Sequence, residues 1–121
     1  MGEELPPRVR QQLVRVQQTR DSLQYVSALV LQVKQQLAET KNALEQVTGL
    51  TAKSILYQAA GPLLFKTTKQ KASTTLSETN EALEVRLKSL EKQEAQLRKQ
   101  YDTLQETLRG MLGQSGPAPA G

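Results

Sequence analysis

Cysteine and histidine are both absent from the 121 residues, which excludes thiol nucleophiles, disulfides, Cys/His zinc sites and imidazole acid–base catalysis together. Enzymatic activity and a bound cofactor or metal are therefore not expected. Tryptophan is missing too, and aromatics amount to 3% against an apolar content of 37%, so bulky side chains that fill a globular core are scarce. An elongated coiled coil fits this composition better than a compact bundle. No run of about 18 uncharged apolar residues occurs, and the opening MGEELPPRVRQQ lacks the apolar stretch of a signal peptide. The expectation is a cytoplasmic protein with no membrane association.

What the chain does have is a small basic surplus, +4 overall, and its position matters more than its size. Residues 1–48 hold six Lys/Arg and five Asp/Glu, and residues 76–121 hold six and seven. Between them Lys53, Lys66, Lys69 and Lys71 stand with no acid at all. A nucleic-acid binder would carry a basic stripe or arm, so no nucleic-acid partner is expected. Lysines flanking strands have another use, which is to blunt exposed sheet edges.

Two heptad series flank that basic island. Upstream, Val9, Val16, Leu23, Val30, Leu37 and Leu44 recur every seventh residue; downstream, Leu76, Leu83, Leu90, Leu97, Leu104 and Met111 do the same. Each upstream member pairs with a downstream one about a common centre at residue 60, where Ala60-Gly61-Pro62 carries the strongest turn signal. Equal series equidistant from a Gly-Pro predict one antiparallel helical hairpin. The upstream apolar spacing, taken as 9, 13, 16, 23, 26, 30, 33, 37, 44 and 47, stumbles after Leu23, which predicts a stammer there and Val33 rather than Lys34 toward Leu87. Polar residues enter the seam at Asn80 and Glu94, the latter opposite Val26 or Ser27; such positions cost stability and fix register.

The expected layout is a single domain over residues 1–121: a helix over 7–48 opened by Pro7 and stopped by Gly49, a hairpin over 54–67, a helix over 69–112 and a disordered tail over 113–121. Thr67 or Thr68 is the expected N-cap of the second helix, and Thr67 with Gln70 has the spacing of a capping box. Ile55, Tyr57 and Ala59 alternate with Leu56, Gln58 and Ala60, and Leu63, Phe65 and Thr67 with Leu64 and Lys66, so both halves of the island read as strands. A lone hairpin that is apolar on both faces needs cover its own chain does not supply. The expectation is assembly with other subunits through Ile55, Leu56, Tyr57, Gly61, Pro62, Leu63, Leu64 and Phe65; the alternative is a plug folded back on the helix ends.

At the free helix ends Leu5, Val9, Leu13, Val16, Leu104, Leu108, Met111 and Leu112 gather in the most continuously apolar part of the seam, yet Pro6, Pro7, Gly110 and Gly113 weaken the helices there. These eight residues are candidates for an adaptable apolar contact surface, and the competing role is simply to zip the coil shut.

With ILYQAAGPLLFKTTKQKA at the crossover and LEVRLKSLEKQEAQLRKQ following, the chain from Pro7 to about Leu112 resembles a beta-type subunit of prefoldin. Tyr57, Gly61-Pro62-Leu63-Leu64 and Lys66-Thr67 carry the most specific part of the likeness. The resemblance implies a mainly α fold, a long antiparallel two-helix coiled coil whose one β-hairpin joins an intersubunit β-barrel. It implies a hetero-oligomer with an alpha-type prefoldin subunit and other beta-type copies. It also implies unfolded client proteins held at the coiled-coil tips without ATP, and delivery to a group II chaperonin. Ala59, Ala60 and Phe65 depart from the family's usual residues at the crossover. A structural coiled-coil tether or spacer is the alternative function.

Overall fold

A computed structural model describes residues 5–115, and the part of the expected tail over residues 116–121 lies outside them. Four elements follow in order: α1 (Pro7–Thr48), β1 (Leu56–Ala60), β2 (Leu63–Thr67) and α2 (Lys69–Ser115). The chain is mainly α, two long helices joined by one antiparallel hairpin, and its contacts divide into two units, residues 1–29 with 90–121 and residues 30–89.

In the first unit the core is a stripe along α1. Val9 is fully covered, Val16, Leu23 and Val26 are buried, and Leu90 of α2 is buried with them. The surprise in this stripe is Gln12, 6% exposed, where the sequence reading had placed Leu13. With Gln12 and half-buried Thr19 included, the covered positions run 9, 12, 16, 19, 23, 26, an unbroken alternation of three and four. No stammer follows Leu23: the apparent stumble came from passing over polar members of the seam. Gln12 is tolerated because its Nε2 donates to the Leu104 carbonyl of α2 at 3.1 Å, which offsets the desolvation of the amide. Ser27 Oγ likewise donates to Glu94 Oε2 at 2.7 Å, so the second polar layer is bridged across the helices.

In the second unit the same alternation continues through Val30, Val33 and Leu37, all buried, with Lys34 outside. Leu76, Leu83 and Leu87 of α2 are half-buried. A seam between only two helices gives each knob one partner, so long leucines keep a flank in solvent. Each fully covered Val or Leu contributes about 1.5–3 kcal/mol relative to exposure. Asn80 is the weak layer: its Nδ2 donates to Glu84 Oε1 at 3.2 Å, while its Oδ1 is buried without a hydrogen-bond partner among the described residues.

The termini of the elements have local causes. Pro7 occupies the first position of α1, where a missing N–H costs nothing, and Arg10 N donates to Pro6 O at 3.0 Å. α1 ends at Thr48, just before Gly49 as expected; Gly49 N still reaches Glu45 O at 3.1 Å, and Gly49 makes the stop without entering the left-handed region. Thr68 caps α2: its Oγ1 accepts from Lys71 N at 3.2 Å. Thr67 is the last residue of β2, so the capping box anticipated with Gln70 does not form. At the other end α2 runs to Ser115, three residues past the expected end at Leu112. Gly110 and Gly113 keep ordinary helical φ rather than terminating the helix.

Candidate functional site: the crossover and the helix ends

The hairpin is built around a two-residue turn. Ala60 pairs with Leu63, leaving Gly61 and Pro62 between the strands, and Gly61 has φ 58°. A positive φ first and a proline-restricted φ second make a type II′ turn, whose twist matches that of the flanking strands. Pro62 donates nothing, and at this position no ladder bond is lost.

The register Leu56↔Thr67, Tyr57↔Lys66, Gln58↔Phe65, Ala59↔Leu64 assigns the two faces. Leu56, Gln58, Ala60, Leu63, Phe65 and Thr67 share one; Tyr57, Ala59, Leu64 and Lys66 share the other. On the first face, Leu56 and Thr67 are half-buried and line a cleft of about 290 Å³ with Ala43, Val47, Thr75 and Leu76. The rest stands in solvent: Ile55 and Tyr57 are 65% exposed, Leu63 57%, Leu64 72% and Phe65 50%. Those values argue against the plug, although Tyr57, Gln58 and Ala59 also border the cleft. Ile55 lies just before β1 rather than within it. Among the described residues no further strand pairs with either edge of the two-stranded sheet.

The connector is held by polar contacts. Ser54 N donates to Thr51 O at 3.1 Å, and Lys69 Nζ, from the first turn of α2, donates to Leu50 O at 2.8 Å. Lys53, Lys66 and Lys71 are exposed.

At the helix ends the eight candidate residues separate into three groups. Val9 and Val16 are sealed in the seam, at 0% and 7% exposure. Leu13, Leu104, Leu108 and Met111 are half-buried, and Leu5 and Leu112 are exposed. Leu13, Val16, Leu108 and Leu112 line one open cleft, flanked by Gln105 and Arg109, so Leu13 and Leu108 do converge although Leu13 is not the seam residue. Arg109 pairs with Glu106 at 2.9 Å and Gln105 Nε2 donates to Tyr101 OH at 3.0 Å, a polar border on that cleft. Gln12 is the member of this end that sequence reasoning passed over. The signal available was its place in the three–four spacing from Val9 to Val16.

Among the described residues no group of His, Cys, Asp or Glu is arranged to hold a metal ion, and no helix is long and apolar enough to cross a membrane. Two long heptad helices with one exposed apolar hairpin between them define the class as a coiled-coil protein. The family model for prefoldin subunits matches residues 10–115. The chain is 34% identical over 113 residues to the prefoldin subunit beta of Methanosarcina mazei, covering 93% of this chain and 97% of that protein. To the prefoldin subunit beta of Saccharolobus islandicus it is 35% identical over 117 residues, 97% of this chain and 93% of that one. The crystal structure of the prefoldin beta subunit from Thermococcus strain KS-1 superposes with a TM-score of 0.82 at 33% identity, over 98% of this chain and all of that one. The beta2 subunit of the same strain, at 21% identity and a TM-score of 0.69 over 75% of this chain and 97% of its own, shares the fold. The chain belongs to the prefoldin family as a beta-type subunit, and so to a family of chaperones rather than of enzymes.

Proposed function

We propose that the chain is a subunit of a cytoplasmic, ATP-independent holdase. Its helix ends capture non-native proteins and deliver them to a group II chaperonin, and its hairpin joins an intersubunit β-barrel with an alpha-type subunit and other beta-type copies. The observation that carries the reading is the apolar cleft of Leu13, Leu108 and Leu112, with Leu5 also exposed, on a chain of this family. A client segment gains most where apolar surface is half-exposed and has no specific shape to match. Leu104 and Met111 widen that surface, Met111 with a flexible side chain that adapts to different clients. Val9 and Val16 join it only when the helix ends part.

Suppression of aggregation of a denatured enzyme, measured on the assembled protein without nucleotide, is the test. Leu13→Ser and Leu108→Ser are expected to weaken suppression several-fold while leaving far-UV ellipticity in place; Leu37→Ser, buried in the other unit, is expected to lower the melting midpoint first. Loss of suppression that merely follows loss of helicity in all three variants would contradict client capture. The sealing of Val9 and Val16 favours a second reading, a coiled-coil tether or spacer, which predicts no suppression by the intact assembly.

A further inference from the structure

The first half of α1 carries a charge that neither the fold nor the capture of clients uses. From Leu5 to Arg20 the sequence holds Arg8, Arg10, Arg15 and Arg20 and no Asp or Glu. Acids near the start of a helix stabilise it and cations there oppose its dipole, yet α1 has no acid in its first turn and opens with Arg8 and Arg10. Arg20 pairs with Asp21 at 3.6 Å, whereas no acid among the described residues pairs with Arg8, Arg10 or Arg15. All of these cations are arginines, while the basic residues that follow, from Lys34 to Lys71, are all lysines. A guanidinium forks onto a carboxylate through two parallel hydrogen bonds, and an ammonium offers only a point charge. These arginines border an apolar line outside the seam. Pro7, Arg10, Gln11, Val14, Arg15 and Gln18 line an open groove of about 680 Å³ along α1. Pro7, Gln11, Val14 and Gln18 follow the four–three spacing of one helix face, opposite Val9, Gln12, Val16 and Thr19 of the seam. Val14 is 48% exposed, with Arg10 and Arg15 on either side of it, and Tyr25, three turns further along the same face, is 67% exposed. The groove shares no residue with the cleft of Leu13, Val16, Leu108 and Leu112.

We propose that this outer face of α1 docks an acidic amphipathic helix of a partner protein, whose apolar residues lie on Val14 and Tyr25 and whose Asp or Glu side chains take the Arg10 and Arg15 guanidiniums. The inference does not depend on client capture, which uses the other cleft. Charge complementarity names the occupant: exposed arginines without acids of their own leave the carboxylates to the partner. A second copy of the same face would set arginine against arginine. Nucleic acid favours an unbroken row of cations, and here Val14 and two glutamines interrupt the row. A helix matches the face because its own apolar residues recur at the spacing of Pro7, Val14 and Tyr25 and its flanks carry charge beside them. Exposed ion pairs add little affinity one by one but fix orientation and speed encounter, so the docking is salt-sensitive.

The test uses the full chain and two labelled synthetic helices, each with leucines along one face, one flanked by glutamates and the other by lysines. Fluorescence anisotropy at low salt is expected to show the glutamate helix binding at least about tenfold more tightly than the lysine helix, and Arg10→Glu/Arg15→Glu to reverse that order. At about 1 M salt, where the screening length is only about 3 Å, the preference is expected to vanish. The reversed variant should melt no lower than the parent, since both side chains are exposed and an acid near the helix start is favoured. Its suppression of enzyme aggregation should be unchanged, and Leu108→Ser should leave binding of the glutamate helix unchanged, so docking and client capture fail separately. Equal binding of the two helices by the parent chain at low salt would overturn the proposal. So would loss of the glutamate helix in Leu108→Ser but not in the reversed variant, which would make that helix a client. Binding of single-stranded oligouridylate more tightly than the glutamate helix, lost in the reversed variant, would assign the arginines to nucleic acid and overturn the proposal as well.

Discussion

Gln12 shows how one polar side chain settles a register. Its amide is 6% exposed and donates to the Leu104 carbonyl, so the layer between Val9 and Val16 is tied across the two helices by a direct hydrogen bond. Gln12→Ala removes both the bond and the packing and should lower stability by about 1–2 kcal/mol. Gln12→Leu, which removes the need for a partner, should leave the melting midpoint unchanged or raise it. Thermal unfolding followed at 222 nm distinguishes the two, and an equal drop in both would mean that shape rather than the hydrogen bond holds the layer. Gly61 is the second decisive residue. With φ 58° and no atom within 4 Å of the place a Cβ would occupy, the penalty for Gly61→Ala is backbone strain alone, about 1–2 kcal/mol. Faster amide exchange in β1 and β2 with an unchanged helical melt is the expected signature.

Among the elements, α2 was the easier to read and α1 the harder, for a physical reason. Leucine recurs every seventh residue from Leu76 to Leu104 and each of these leucines is buried or half-buried, so the seam of α2 is marked in every heptad even though Asn80 and Glu94 are polar members of it. In α1 the buried series includes Gln12 and Thr19, and a reading that follows only apolar residues slides onto Leu13 and reports a stumble that is not there. The turn at Gly61-Pro62 was legible because few residue pairs can make it. The cap was not: Thr67 and Thr68 are chemically equal as N-caps, and only the pairing of Thr67 with Leu56 decides between them. Nothing in the sequence marked which apolar candidates at the helix ends would be sealed, because burial depends on how the second helix rotates over them. Thr68→Ala should therefore destabilise the start of α2 by about 0.5–2 kcal/mol, and Thr67→Ala by less, as read from urea unfolding. Asn80 sits in the seam with Oδ1 unpaired, so Asn80→Leu should stabilise the pairing of α1 and α2 by about 1 kcal/mol or more. The same change should loosen register, visible as broader crosslinking between cysteines introduced on the two helices.

For the whole molecule the governing fact is that the largest exposed apolar side chains of the crossover lie outside any core of their own chain. Leu64→Asp with Phe65→Asp replaces side chains that are 72% and 50% exposed, so the isolated chain should melt as before. Assembly with partner subunits should be lost, since two carboxylates would be buried without partners. Mass measurement of the mixed subunits, paired with ellipticity of the single chain, checks both halves. An unchanged assembly would mean that the hairpin faces solvent in the complex too.

The open sheet edges have a consequence for supply. A copy on its own displays Ile55, Tyr57, Leu63, Leu64 and Phe65 beside a two-stranded sheet, and exposed apolar side chains along an unpaired edge are a template for edge-to-edge aggregation. On the assembly proposed above, production of this subunit has to keep step with that of the chains that cover its hairpin, because every surplus molecule carries an aggregation-prone edge of its own.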